Sequence, residues 1–223
     1  MIVKKTIQLL IVLCLLSACN SDFKIDVFSS DFFLTDNLKT PAEMAVGIPS
    51  CTSERLEKYK TEIIAMFSSD SNAKVVGCES RDMNSMLIVS LDAEIASETS
   101  NADLILFRKS FPDLTHENKN YEVRGVRPML SANFVQRVKS MMENNMQSLT
   151  YDKFSLGINL NNDGREDLLV TGYNLWVNGE PKEQYRRAML PRRQKLDLRF
   201  SNITSDLILR GDAPTIFFIG QQK

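Results

Sequence analysis

An α+β fold is what the sequence predicts: antiparallel sheet carrying two main helices, with a C-terminal part that is mostly β. Three observations carry this expectation. Apolar residues recur at helical spacing after Cys51 and again after Ser131. Short runs rich in Val, Ile, Leu and Phe with alternating polarity follow each helix. From residue 154 onward such runs succeed one another, separated by turn residues.

In chain order, Lys4 and Lys5 precede an apolar run, Leu9 to Leu16, and the small residues Ser17 and Ala18 before Cys19. Charged, apolar and small-residue regions in that order are those of a secretory signal, here residues 1–18. The apolar run is far shorter than the roughly 20 residues a membrane-spanning helix needs. Leu16-Ser17-Ala18-Cys19 resembles the lipobox of bacterial lipoprotein precursors. The resemblance implies that Cys19 becomes a lipidated N-terminus that partners the membrane through its acyl chains, each buried CH₂ contributing about 0.8 kcal/mol. Asn20 rather than Asp after the cysteine implies, by the same resemblance, the outer membrane, the protein facing the periplasm or the cell surface.

Residues 19–22 form the lipidated end and a tether of about 10 Å. Phe23, Ile25, Val27, Phe28, Phe32, Phe33 and Leu34 follow at once, and such a segment buries itself, holding the body close to the membrane. The rest divides into an α+β part, 23–128, and a helix plus β-rich part, 129–223, readable as one continuous domain.

Composition narrows the function classes. Hydrophobic content of 43% and charged content of 25% are those of a globular chain. There are 27 Lys+Arg and 28 Asp+Glu; without Lys4 and Lys5 the balance is 25 against 28, a net of −3. No global field favours nucleic acid as a partner. Of four cysteines, Cys14 leaves with the signal and Cys19 is lipidated, so Cys51 and Cys78 pair as a disulfide in an oxidising compartment.

Thr52 and Ser53 offer N-caps to the first helix, which runs to about Phe67 with Leu56, Tyr59, Ile63 and Phe67 on one face. Strands follow at 73–79, 86–95, 102–109 and 121–127, the last two around the polar loop LTHENKN. Ser131 caps the second helix, with Phe134, Val135, Val138, Met141 and Met142 inward. KFSLGINL, EDLLVTGYNLWV, EQYRRAML, KLDLRF and TIFFIG then read as strands, and Asn178-Gly179 is a hairpin signal.

Two stretches are candidate sites. In NLNNDGRED, the oxygens of Asn159, Asn161, Asp163, Arg165 and Asp167 are spaced like those of short calcium loops in integrin-type and related propeller repeats, with Gly164 at loop position six. The competing reading is a hairpin loop, Asn162-Asp163-Gly164, pairing Ile158 with Leu168 and Leu156 with Val170; it explains the glycine without calcium and is the stronger. Arg186, Arg187, Arg192, Arg193 and Lys195 form a basic run suited to an anion or lipid headgroup, or else a charged strand edge that deters edge pairing. Trp176 is read as core or interface.

Catalysis has little to stand on. His116, the single histidine, sits in a polar loop, and neither HExxH nor G-x-S-x-G occurs. FKIDVFSSDFFLTDNLKTPAEM, running into IPSC, resembles uncharacterised lipoproteins carried by prophages of enteric bacteria. Together these point to a non-enzymatic outer-membrane lipoprotein that binds an envelope partner, such as an outer-membrane protein, in surface modification or superinfection exclusion. The alternatives are a calcium- or glycan-binding envelope module with hydrolytic activity and a structural envelope-assembly lipoprotein.

Overall fold

The structure is a computed structural model that describes residues 21–52, 54–81, 84–97, 100–111, 121–144 and 154–222. Residues 1–18, expected as a signal, Cys19, Asn20, Ser53, His116 and the rest of LTHENKN lie outside the described residues, as do the side chains of Met142 and Arg187.

The N-terminal half contributes β1 (Ser21–Phe28), β2 (Leu38–Ile48), α1 (Leu56–Ile64), β3 (Lys74–Arg81), β4 (Asn84–Ala96), β5 (Leu104–Ser110) and β6 (Tyr121–Leu130). Then come α2 (Ala132–Asn144), β7 (Phe154–Asn161), β8 (Leu168–Val177) and β9 (Glu180–Leu190). The chain finishes with β10 (Lys195–Phe200), α3 (Asn202–Arg210) and β11 (Phe217–Gln222).

Nine strands form one closed barrel in the order β10-β7-β1-β2-β4-β5-β6-β11-β8, and a β8–β10 pairing completes the ring. With 55% of residues in strands and three small helices, the molecule is mostly β, which corrects the α+β expectation. The helices pack on a barrel's end and flank rather than forming a layer on a sheet. The expectation of purely antiparallel sheet also fails, since β1 runs parallel to β7 and β4 parallel to β5.

Residues 21–48 account for much of the difference. Phe23, Ile25 and Val27 alternate inward along β1, and Ala42, Met44, Val46 and Ile48 do the same along β2. Pro41 sits in β2 just beyond the last β1–β2 pair, Ile25 with Ala42, so no ladder bond to β1 needs its missing N–H. Leu87, Val89, Leu91, Ala93 and Ile95 continue the inner surface along β4. Such strands bury one face each, and closing the sheet on itself buries all of them together.

The barrel is closed by a bent strand. β9 pairs with β8 along its length, so β11 and β10 must share the other edge of β8 in succession, at 169–172 and 175–177. Asn174, at φ 52°, lies between these two stretches and turns the strand. A Cβ at Gly172 would come within 2.3 Å of Leu175 Cδ1, so the bend needs glycine there. The β8–β9 turn is the predicted Asn178-Gly179 pair, with φ of 50° and 82°.

β1 fixes the two ends. The near end carries Ser21, and the far end carries Phe28, seven residue steps away or about 23 Å. At the near end α2 plugs the barrel, with Phe134 set edge-on to Phe23 at 6.1 Å and against Phe67 at 5.3 Å. The expected cap is present there, since Phe134 N–H donates to Ser131 Oγ at 3.1 Å. At α1 it is not: Arg55 occupies the N-cap and no side chain caps that helix. Behind α1, buried Asp103 accepts from Ser68 N–H at 2.6 Å and Ser71 Oγ at 2.7 Å and pairs with Arg137 of α2. The Cys51–Cys78 disulfide ties the turn before α1 to β3.

Candidate functional site

The interior has little room for a ligand. Phe23, Ile25, Leu87, Leu106, Leu156, Leu198 and Phe217 are at most 1% exposed within one contiguous core. Between Ser21, Phe23, Met44, Leu130 and Phe134 there remains about 10 Å³, space for at most one water. Among the described residues, polar groups gather at the far end.

The segment after β1 folds over that end. Phe32, fully buried, sits edge-on to Phe217 at 6.2 Å. Arg108 follows Leu104 and Leu106 on the inward face of β5, and its guanidinium donates to the Asp31 carbonyl at 2.6 Å and to the Asp36 carbonyl. Burial pulls the Arg108 pKa down and repulsion from Arg124 adds to this, against the pull of Asp36 and Asp31. The cation satisfies carbonyls that closure of the barrel would otherwise strand.

Asp163 holds the same segment from outside. Its Oδ1 accepts from Ser29 Oγ at 2.9 Å and Ser30 N–H at 3.0 Å, and its Oδ2 from Ser30 Oγ at 2.6 Å. Burial raises its pKa, but the hydrogen bonds from Ser30 and Ser29 outweigh this and leave it below the ordinary value. Asp31 goes the other way: burial and the nearby Asp163 carboxylate push it up, against the Phe28 N–H bond and Arg108.

Asn162, 2% exposed, locks the loop. Its Nδ2 donates to the carbonyls of Leu190 at 2.9 Å and Glu166 at 3.0 Å, and its Oδ1 accepts from Gly164 N–H at 3.0 Å. Its backbone N–H donates to Gln194 O, and its carbonyl accepts from Arg193 N–H at 2.8 Å.

The two stretches singled out in the sequence thus meet at the far end. Asn159 spends its amide on Asp26 Oδ1 at 2.6 Å, and Asn161 spends its own on Val27 O at 3.1 Å. Asp167 accepts from Arg192 N–H at 3.2 Å, and Arg165 is exposed. These groups hold strands and turns together instead of converging on one point. Among the described residues there is no cluster of three or more His, Cys, Asp or Glu placed to hold a metal.

The expected hairpin across this loop is corrected. β7 pairs with β1 and β10, not β8, so Ile158 faces Ile25 and Leu198 rather than Leu168. Gly164 does not take the left-handed conformation; among the described glycines Gly179 and Gly211 do. The loop leads into a strand that closes the barrel elsewhere, a pairing local turn chemistry does not encode.

Arg192 and Arg193 occupy the β9–β10 turn and Lys195 begins β10, all exposed at the far end. Arg186 is exposed on β9, where Arg187 also lies. Trp176 is 45% exposed on the outside of β8, beside Pro181 and Arg199 in register, so it is not a core residue.

A second cationic feature escaped the sequence reading. A cleft of about 430 Å³ lies on the barrel flank between Phe107, Arg108, Lys109, Phe111, Arg127 and the 213–215 segment. Its signal was FRKSF followed by RGVR, in which Lys109 and Arg127 share one outer face only once β5 and β6 pair with Phe107 opposite Arg127.

Residues 21–223 match the family described as Domain of unknown function (DUF7424), and the chain belongs to that family. No curated protein and no solved structure matches the chain.

Proposed function

For this member of a family without an assigned activity, we propose an outer-membrane-anchored lipoprotein that acts as a non-enzymatic envelope binding protein. The observation that carries the reading is the start of β1 at Ser21, two residues after Cys19. Two residues reach about 7 Å. A lipid on Cys19 would therefore seat the near end of the barrel, with α2 and the C-terminal turn of α3, on the bilayer.

The far end, with Arg192, Arg193 and Lys195, would then stand about 16–19 Å above the headgroups, the rise of β1 projected through the tilt of barrel strands. That distance favours a partner in the surrounding envelope over the anchoring bilayer as the target of these cations. The packed interior supports binding on the surface rather than a chamber for substrate. Fractionation of cells expressing Cys19→Ala tests the anchor: the variant is expected in the soluble fraction, and full retention in the outer membrane contradicts the reading.

A further inference from the structure

We propose that the cleft on the β5–β6 flank is a binding site for an oxyanion, phosphate or carboxylate, borne on a compact ring. The proposal rests on the reading of the protein as a surface binding module, not on its anchor.

The cleft is built by register. Phe107 and Arg127 face each other across β5 and β6, and the Arg127 guanidinium lies over the Phe107 ring, 5.3 Å from its centroid. Two residues along, Lys109 is opposite Gly125. A Cβ at Gly125 would come within 2.4 Å of the Phe111 ring and 2.7 Å of Thr215 Cγ2, so the missing side chain lets both close down on the sheet. Phe111 is fixed there by its N–H bond to Val123 O at 3.2 Å and by edge-on packing with Phe218 at 5.2 Å. Lys109 Nζ in turn lies 5.7 Å from the Phe111 centroid. Ala213, Pro214 and Thr215 make the opposite wall.

Two cations are thus held on aromatic rings at the rim of a cleft whose volume suits a small ligand. Among the described residues no Asp or Glu lines it, and neither Lys109 nor Arg127 is in an ion pair. Among the described residues Arg127 donates a hydrogen bond to the weak acceptor Met129 Sδ, at 3.0 Å. A guanidinium fork donates to two oxygens of one anion, the ammonium adds a second charge, and Phe107, Phe111 and Pro214 offer apolar surface to the body that carries it. Ser97, also in the lining, places the cleft toward the far end, because its N–H and hydroxyl bond Asn37 Oδ1 and Thr35 O just before β2.

Calorimetry of the full-length protein in neutral detergent, with phenyl phosphate, benzoate, inorganic phosphate and benzyl alcohol as probes, tests this. Saturable binding of phenyl phosphate or benzoate is expected, the better of the two marking the preferred oxyanion. Inorganic phosphate and benzyl alcohol are each expected to bind about tenfold more weakly or worse, a loss of about 1.4 kcal/mol. Arg127→Gln and the exposed Lys109→Gln should each weaken binding by a similar factor with the thermal midpoint unchanged. No saturation by about 10 mM probe, equal binding of benzyl alcohol, or binding that survives Lys109→Gln and Arg127→Gln combined would overturn the site. Should Arg127→Gln fail to fold, Lys109→Gln decides. None of these results bears on where Cys19→Ala fractionates, so the two readings fail separately.

Discussion

The two ends of the barrel are sealed by opposite chemistry. At the near end, Phe134 brings an aromatic side chain down onto Phe23 and Phe67, and the amphipathic face of α2 does the rest. At the far end Arg108 and Asp163 satisfy the backbone of a segment too short to be a helical plug, and Asn162 ties the adjoining loop to the end of β9. An apolar seal is tolerant of direction and depends on volume, whereas a polar seal depends on each partner being present. The end that would rest on the membrane is closed mainly by packing, whereas the other adds to the Phe32–Phe217 contact a set of hydrogen bonds that leaves polar groups at its surface.

The comparison can be broken most severely at the near end. Phe134→Ala removes a buried ring and should cost about 3–5 kcal/mol, read as a lower denaturant midpoint. Reduction of Cys51–Cys78, which restrains 27 residues of chain, should cost about 3.5 kcal/mol on the chain-entropy model, measured by chemical denaturation with and without reductant. At the far end, Asn162→Leu keeps similar volume but strands the carbonyls of Leu190 and Glu166. A loss of about 2–3 kcal/mol is expected, and a neutral outcome would show that this end is not held by its polar contacts.

Smaller effects sharpen the same contrast through pH. Asp163→Ala should cost about 1 kcal/mol at neutral pH. Because its folded pKa lies below the ordinary 3.8, the ionised carboxylate stabilises the fold fully above that value, and the contribution fades as pH falls through the lowered one. Asp31 has the opposite sign: its folded pKa is raised, so ionisation opposes folding, and stability recovers as pH falls through the raised value. Asp31→Asn should therefore be slightly more stable than the native chain at neutral pH, with the gain vanishing in acid. Thermal midpoints of both variants from pH 3 to 7 check the two signs.

Local pattern made most strands legible. Alternation in AKVVGCE, MLIVSLDAEI and KFSLGINL, and the Asn178-Gly179 turn, correspond to β3, β4, β7 and the β8–β9 hairpin. α3 was hidden within a chain read as all β, although Ser201 accepts from Thr204 N–H as an N-cap and Gly211 ends the helix at φ 81°. Closure could not be read, because Ser21 pairs with Phe154 in parallel across more than half the chain and no local signal specifies that partner. The same distance hid the roles of Arg108 and Asn162. A charged residue following LILF and one Asn among several acquire meaning only when the far end assembles.

The orientation of the barrel on the membrane is the central claim, and depth-dependent quenching tests it most directly. A fluorophore would be placed at exposed Arg210, beside Leu209 near Ser21, or at exposed Arg193 in the far-end turn, in protein reconstituted into vesicles carrying a headgroup-borne quencher. Strong quenching at 210 and little at 193 is expected from an anchor at Cys19. Equal quenching at both sites, or stronger quenching at 193, would contradict the account.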